Sequence, residues 1–192
     1  MRLRSATATA LATVALAAFA APASGAPSEP AAFGPNKMEC RPFAGGERTS
    51  ATCGARILDD GRALPPPGAP PEVRAVIEAA NRLTDKPYVW GGGHRSWNDR
   101  GYDCSGAVGY ALHAAGMLDY TMVSVTMAEY WGEPGSGRWI TVHANRRHVY
   151  MVVAGLRFDT RDGLTARTGP RWHADMPRTP GRFFTARHPA GL

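Results

Sequence analysis

The chain has 192 residues and a formal net charge of +6 at neutral pH. Hydrophobic residues make up 44% of it and charged residues 20%, which excludes intrinsic disorder and indicates one globular domain with some additional sequence. The positive charge comes almost entirely from arginines, which are scattered along the chain without a long basic run. We therefore expect no binding to nucleic acid.

Residues 1–23 have the pattern of a secretion signal. Arg2 and Arg4 precede an apolar, alanine-rich run from Ala6 to Ala21, and small residues at its end offer a cleavage site. Because the run is short and contains threonines, we expect cleavage rather than a retained membrane anchor. Cleavage removes two arginines and lowers the net charge from +6 to +4. We expect a secreted, cell-wall-associated protein without stable membrane association, whose positive charge suits an anionic polymer.

Residues 24–69 are expected to form an N-terminal extension to a main domain at residues 70–192. Cys40 and Cys53 lie close together in a glycine-rich stretch, and we predict a disulfide between them. In the chain-entropy model a loop of this size stabilises the fold by about 3 kcal/mol. The extension ends in a proline-rich run over residues 63–71, which predicts a stiff, extended linker. Cys104 is then left as an unpaired thiol, for which catalysis is an explanation.

The main domain begins with two predicted helices. The first follows Pro71 and has an apolar face at helical spacing, formed by Val73, Val76, Ile77, Ala80 and Leu83. A glycine-rich turn over residues 91–93 follows. The second helix is predicted to run from Cys104 to about Ala115, with Gly116 as its cap.

The remainder of the chain predicts strands. Residues 117–137 are expected to be mostly loop, ending in a run of glycine and proline. Strand-like runs follow at residues 139–143, 148–153 and 156–160, with a tight hairpin at Ala154 and Gly155, and a last strand is predicted at residues 182–187. Two helices followed by a meander of strands indicate an α+β fold.

Cys104 and His148 are the residues with the clearest chemistry. Cys104 is predicted to lie in the first turn of a helix, where backbone N–H groups and the helix dipole stabilise a thiolate. His148 opens the central predicted strand and can act as the base that activates the thiol. Together they indicate a nucleophile and a proton acceptor.

Three segments of the domain resemble the NlpC-type cell-wall cysteine peptidases. They are Tyr-Val-Trp-Gly-Gly at residues 88–92, Asp-Cys-Ser-Gly at residues 103–106, and a His-Val pair at residues 148–149 that leads a strand. The resemblance covers roughly residues 70–192. It implies a compact papain-like domain in which the nucleophile helix packs on an antiparallel sheet. It also implies hydrolysis of peptide bonds in peptidoglycan stem peptides, namely the bond between D-glutamate and a diamino acid.

The resemblance and the spacing extend the site to three further residues. The third catalytic residue of the family is often His followed by Ala, but the equivalent place here holds Asp159, which suits an imidazole partner. His173 is the competing candidate for that role. Tyr88 is expected to supply a hydroxyl to the oxyanion or to line the site, and His94 to contact a substrate carboxylate. Trp90 is expected in the core, and Asp103 is expected to cap the helix.

Besides Asp159 in place of the family's His, the sequence departs from the family at one turn, and several alternative functions stay open. The family's Pro-Gly-Asp-Leu turn before the His-bearing hairpin lacks its Asp here, since residues 133–138 read Glu-Pro-Gly-Ser-Gly-Arg. The same thiolate would serve an amidase or an acyltransferase, and a non-catalytic wall-binding module is the alternative of a different class. We expect no cofactor and no metal, because His143 and His148 have no acidic cluster beside them, and we expect a monomer.

Overall fold

The computed structural model describes residues 54–162, 166–177 and 183–192, which form three helices and eight strands. The α+β class predicted from the sequence is confirmed. The helices are α1 Pro71–Asn81, α2 Cys104–Ala114 and α3 Ser124–Tyr130. The strands are β1 Arg56–Ile57, β2 Ala63–Leu64, β3 Glu133–Pro134, β4 Ile140–Ala144, β5 Val149–Val153, β6 Leu156–Asp162, β7 Ala166–His173 and β8 Thr185–His188.

The larger of two sheets has six strands in the order β3-β8-β4-β5-β6-β7, and every pair in it is antiparallel. In the β4–β5 hairpin, Ala144 lies opposite Val149, so His148 stands at the turn end of that hairpin. In the next hairpin, Met151 lies opposite Phe158. This register brings the beginning of β5 beside the later part of β6, where Asp159 lies.

The core lies between the sheet and the first two helices. α1 packs on α2, and α2 packs on β5 and β6. The apolar face predicted for the first helix is fully buried, because its spacing of three and four residues aligns the side chains on one side. None of the described helices is long and apolar enough to span a bilayer.

The segment before α1 is part of this core rather than a free spacer. The backbone N–H of Ala55 donates to the Ala154 carbonyl at 2.8 Å. The Asn81 side chain accepts from the Ala63 N–H at 2.8 Å and donates to the Ala63 carbonyl at 2.9 Å. Pro66 and Ala69 are buried. The linker predicted for residues 63–71 therefore lies against the domain, because proline rings add apolar surface and Asn81 satisfies the backbone of β2.

The predictions for residues 1–53 lie outside the described residues. They are the signal sequence at residues 1–23 and the disulfide between Cys40 and Cys53, and both stay predictions. The described part of the extension predicted for residues 24–69 shares the core with the main domain through Ala55 and Ala63.

Helix α3 lies within the segment predicted to be mostly loop. No side chain caps its N-terminus. A capping residue is the sequence signal that would have predicted where this helix begins. Contacts with β4 and β8 hold it in place. The Arg187 guanidinium donates to backbone carbonyls at its end, including that of Ala128 at 2.9 Å. Tertiary contacts therefore stabilise a helix that the local sequence does not predict.

Strand β7 was also not predicted, and the last strand begins three residues later than expected. β7 contains Gly169, with a φ of +93°, followed by Pro170, and both residue types normally interrupt strands. The register of β6 and β7 shifts between Asp159 and Arg161, which absorbs this irregularity. β7 is an edge strand of the sheet, where proline is tolerated.

The beginning of α2 packs directly against the glycine-rich turn. A Cβ at Gly106 would overlap the carbonyl oxygen of Gly92 and lie 3.1 Å from the Cα of Gly93. The segments at residues 88–92 and 103–106 thus each contribute one glycine, Gly92 and Gly106, to a single close backbone contact. This contact fixes the position of the helix end that carries Cys104.

We expect Gly106→Ala to lower the free energy of unfolding by about 2 kcal/mol, because backbone atoms of the turn must shift to admit the methyl group. Gly109→Ala in the same helix is the matched control. A Cβ there meets side-chain atoms at 3.5 Å or more, and alanine favours a helix by about 0.5–1 kcal/mol over glycine. Urea unfolding should show the midpoint falling for the first variant and rising for the second; equal midpoints would contradict the close contact.

Candidate active site

Cys104 is the first residue of α2 and is partly exposed. It is the one cysteine of the described part of the chain, and its thiol is free. Asp103 precedes it in an extended conformation and caps the helix, its Oδ1 accepting from the Gly106 N–H at 2.8 Å. The thiol therefore lies where the unpaired N–H groups and the dipole of the helix favour an anion.

The Asp103 carboxylate also ties the helix to the glycine-rich turn. Its Oδ2 accepts from the Gly91 N–H at 3.1 Å. Burial raises the pKa of Asp103, but hydrogen bonds from His94 and the Gly106 N–H lower it further, and the net direction is down. The carboxylate thus stays ionised and is directed at these donors, as the expected capping role requires.

His94 lies on the other side of the same carboxylate. Its Nε2 is 3.1 Å from Asp103 Oδ1 and 3.1 Å from the Ser105 hydroxyl. The hydrogen bond to Asp103 raises the pKa of His94, although burial acts in the opposite direction. The structure therefore places His94 near Cys104, but it gives Nε2 two protein partners, whereas the sequence suggested a substrate carboxylate.

His148 lies just before β5 and is held from two sides. Its backbone N–H donates to the Asn145 side chain at 2.9 Å, and its Nε2 is 2.8 Å from Asp159 Oδ1. Burial lowers the pKa of His148, but the hydrogen bond to Asp159 and the proximity of Cys104 raise it, and the net direction is up. Because Nε2 is committed to Asp159, Nδ1 is the ring nitrogen left for the sulfur.

Asp159 is 5% exposed and has three hydrogen-bond donors. Besides His148, Arg157 Nη1 donates to its Oδ2 at 2.6 Å and the Arg161 N–H donates to its Oδ1 at 3.1 Å. Burial raises the pKa of Asp159, but the hydrogen bond and charge of His148 and the charge of Arg157 outweigh burial, so the pKa lies below its usual value. The carboxylate is thus ionised beside the imidazole.

Sequence reasoning missed Arg157. Its side chain is 3% exposed, and besides Asp159 it donates through Nε to the Asp175 carbonyl at 3.0 Å. A charged residue two positions before an Asp in an apolar strand was the available signal, because residues i and i+2 share a strand face.

His173 does not reach the position occupied by Asp159. It lies at the end of β7, opposite Arg157. Burial lowers the pKa of His173, and its Nε2 has no hydrogen-bond partner among the described residues. Of the two candidates for the third catalytic residue, the structure brings Asp159 to His148.

Tyr88 borders the site, while Trp90 points to solvent. Tyr88 is half-buried and its backbone bridges to Tyr102. Burial raises the pKa of Tyr88, and the negative charge of Cys104 adds to that rise. Trp90 is 79% exposed, so the core position expected for it is wrong.

A second buried polar group lies beside His148. His143 of β4 stacks on Tyr150 of β5 with ring centroids 4.9 Å apart, and the Tyr150 ring is 6.4 Å from that of His148. Burial lowers the pKa of His143 to about 4. The His143 Nδ1 and the Tyr150 hydroxyl have no hydrogen-bond partner within the described ranges.

No cluster of three or more His, Cys, Asp or Glu side chains in the described ranges is placed to hold a metal ion. A thiol at a helix N-terminus, an imidazole and a buried carboxylate form a Cys–His–Asp series, which can carry out nucleophilic acyl transfer.

Several solved structures are similar to this chain. A hypothetical invasion protein of Mycobacterium tuberculosis has a TM-score of 0.46 and 18% identity, over 60% of this chain and 61% of that chain. A mutated form of the resuscitation promoting factor interacting protein RipA has a TM-score of 0.46 and 18% identity, over 61% and 62%. An NlpC/P60 family protein from Bacillus cereus has a TM-score of 0.46 and 15% identity, over 62% and 41%.

This chain thus spans about three fifths of the length of the first two structures. The likeness concerns the fold alone, and it includes the NlpC/P60 type that the sequence resembles. No family model and no curated protein matches the sequence.

Since the folded pKa of His143 is about 4 against an ordinary value of 6.5, the unfolded chain binds the proton more readily. The contribution of His143 to stability is therefore complete above pH 6.5 and is lost as the pH falls from 6.5 to 4. His143→Phe keeps the ring stack without a titrating group. We expect its free energy of unfolding to fall over this range by roughly 3 kcal/mol less than that of the wild type.

Denaturant unfolding of both proteins at pH 7 and pH 4.5 measures this difference. Tyr150→Phe is the matched control, because it alters the same stack and leaves the imidazole in place, so it should retain the wild-type pH dependence. Identical pH dependence in wild type and His143→Phe would contradict the assignment of His143 as buried and neutral.

Proposed function

We propose that the chain is a secreted cysteine peptidase that hydrolyses peptide bonds in peptidoglycan stem peptides. The observation that supports it is the position of His148, whose Nε2 is 2.8 Å from the buried Asp159 carboxylate while its other nitrogen is left for Cys104. Few arrangements other than nucleophilic catalysis require a free thiol, an imidazole and a buried carboxylate in this order.

In the proposed reaction the Cys104 thiolate attacks the carbonyl carbon of the scissile amide. The proton that leaves the sulfur resides on Nδ1 of His148, and the imidazolium then gives it to the departing amine. This leaves an acyl group on the sulfur as a thioester. Water then attacks the thioester with His148 as the base, which releases the carboxylic acid and restores the thiol.

Asp159 keeps the Nε2–H of His148 in place and stabilises the imidazolium. The raised pKa of His148 has the direction that this role requires, since a more basic imidazole holds the thiol proton more readily. The charge that develops on the substrate oxygen needs donors fixed in advance. We assign this role to the backbone N–H of Cys104, at the open end of α2, and to the Tyr88 hydroxyl.

The choice of substrate comes from the sequence rather than from the geometry. The resemblance to the NlpC-type peptidases implies the bond between D-glutamate and a diamino acid. The secretion pattern at residues 1–23 and the net charge of +4 after its removal suit an anionic cell wall as the location. An amidase at the sugar–peptide junction and an acyltransferase would use the same thiolate, and their products have different masses.

We expect purified peptidoglycan incubated with the protein to release soluble peptide fragments, and Cys104→Ala to reduce that release to background. The reason is that no other described side chain is placed as a nucleophile beside His148. Mass spectrometry of the fragments identifies the bond. Thermal unfolding of the variant controls for folding, and equal release by the folded variant would overturn the mechanism.

We expect Asp159→Asn to lower kcat by roughly 10²–10⁴-fold, because an amide neither stabilises the imidazolium nor fixes its tautomer. The loss of the carboxylate also lowers the pKa of His148, so the thiolate–imidazolium pair forms less readily. The rate of iodoacetamide alkylation of Cys104 at pH 6 should fall with it. An unchanged alkylation rate together with unchanged kcat would show that Asp159 takes no part.

A further inference from the structure

Two arginines face each other at the edge of the sheet. Arg161 of β6 lies opposite Arg167 of β7 in the register of the pair. Like charges directly opposite each other on neighbouring strands destabilise a sheet. Among the described residues neither guanidinium forms an ion pair. The ion pairs of β6 involve Arg157. The pairing therefore costs stability, and no ion pair in the described part of the fold offsets that cost.

Arg167 is held over two aromatic rings of the segment that borders the site. Its guanidinium carbon lies 5.1 Å from the centroid of the Tyr88 ring and 5.9 Å from that of Trp90. Cation–π contacts of this kind orient a guanidinium but leave its N–H donors free. Trp90, although largely exposed, thus has a contact partner in this arginine.

The same group of side chains lies next to the nucleophile. The Tyr88 backbone bridges to Tyr102, two residues before Cys104, and the Arg167 guanidinium lies over the Tyr88 ring. Burial and the charge of Cys104 raise the pKa of Tyr88, while the charges of Arg167 and Arg161 lower it, which agrees with this placement. The arginine pair therefore lies on the side of the site that Tyr88 borders.

We propose that Arg161 and Arg167, with Tyr88 and Trp90, form a subsite that binds a free carboxylate of the substrate peptide beside Cys104. A planar guanidinium fork binds a carboxylate through two parallel hydrogen bonds. The exposed face of Trp90 offers apolar surface to the alkyl part of the same substrate residue. The inference deepens the proposed function, because it makes an acidic peptide, rather than any acyl amide, the substrate class.

The test compares a synthetic stem-peptide fragment that has its free carboxylates with matched fragments in which one carboxylate at a time is a carboxamide. We expect the wild type to cleave the free acid with a kcat/KM roughly 10- to 100-fold above that of one carboxamide. Arg167→Ala and Arg161→Ala should each remove most of this preference, chiefly by raising the KM of the free acid toward that of the carboxamide.

Arg138→Ala is the matched control. Arg138 is exposed and its guanidinium lies 5.8 Å from the centroid of Trp139, so the substitution removes the same charge and the same kind of ring contact. It precedes β4 at the end of the hairpin away from His148. The variant should keep the wild-type preference; losing it to the same degree would show a general effect of charge and overturn the subsite.

Binding to the Cys104→Ala protein separates this inference from the proposed function. Calorimetry should show tighter binding of the free acid than of the carboxamide, and Arg167→Ala in that background should make the two equal. Tighter binding without any cleavage by the wild type would support the subsite and contradict the peptidase function. Equal binding of both peptides, or binding of neither, would contradict the subsite whatever the protein cleaves.

Discussion

The buried carboxylate of Asp159 is the group on which the rest of the site depends. An isolated charge with so little exposure would cost several kcal/mol, so a carboxylate there requires its donors. Arg157 Nη1 and the Arg161 N–H supply them from the same strand, at 2.6 Å and 3.1 Å. The hydrogen bond and charge of His148 and the charge of Arg157 hold the pKa of Asp159 below its usual value, and the carboxylate in turn raises the pKa of His148. The basicity of this imidazole therefore depends in part on Arg157.

The position of Cys104, the proposed nucleophile, depends on a separate constraint at the beginning of α2. Asp103 joins the first turn of that helix to the glycine-rich turn through the N–H groups of Gly106 and Gly91. The close contact between Gly106 and the Gly92 carbonyl leaves no room for a side chain at Gly106, and a side chain at Gly92 would overlap the Gly101 carbonyl. One half of the site is thus fixed by the helix and its cap, and the other by the register of β5 and β6. The packing of α2 on those strands brings the halves together.

The sequence predicted the parts of this site that are local. A polar turn before a run of helical spacing identified Cys104 and its cap, and a hairpin turn at residues 154–155 placed Asp159 beside His148. What it could not predict are contacts between distant segments. Arg157 is buried because of Asp159, and Trp90, although largely exposed, has a contact partner in Arg167 from another strand. Helix α3 and strand β7 were missed for the same reason, since neighbouring elements stabilise both against weak or contrary local signals.

The arginines show how the same residue type divides between structure and function in this chain. Arg157 neutralises a buried carboxylate, Arg187 donates to backbone carbonyls at the end of α3, and Arg171 donates to a carbonyl across the domain. Each has its charge or its donors used within the fold. Arg161 and Arg167 face each other at the edge of the sheet without an ion pair among the described residues, and Arg167 lies over the rings of Tyr88 and Trp90. The subsite that we propose explains why two like charges stand on neighbouring strands at this edge, because a ligand of opposite charge would lie between them. The net charge of the chain therefore says less about its substrate than the position of these two guanidiniums.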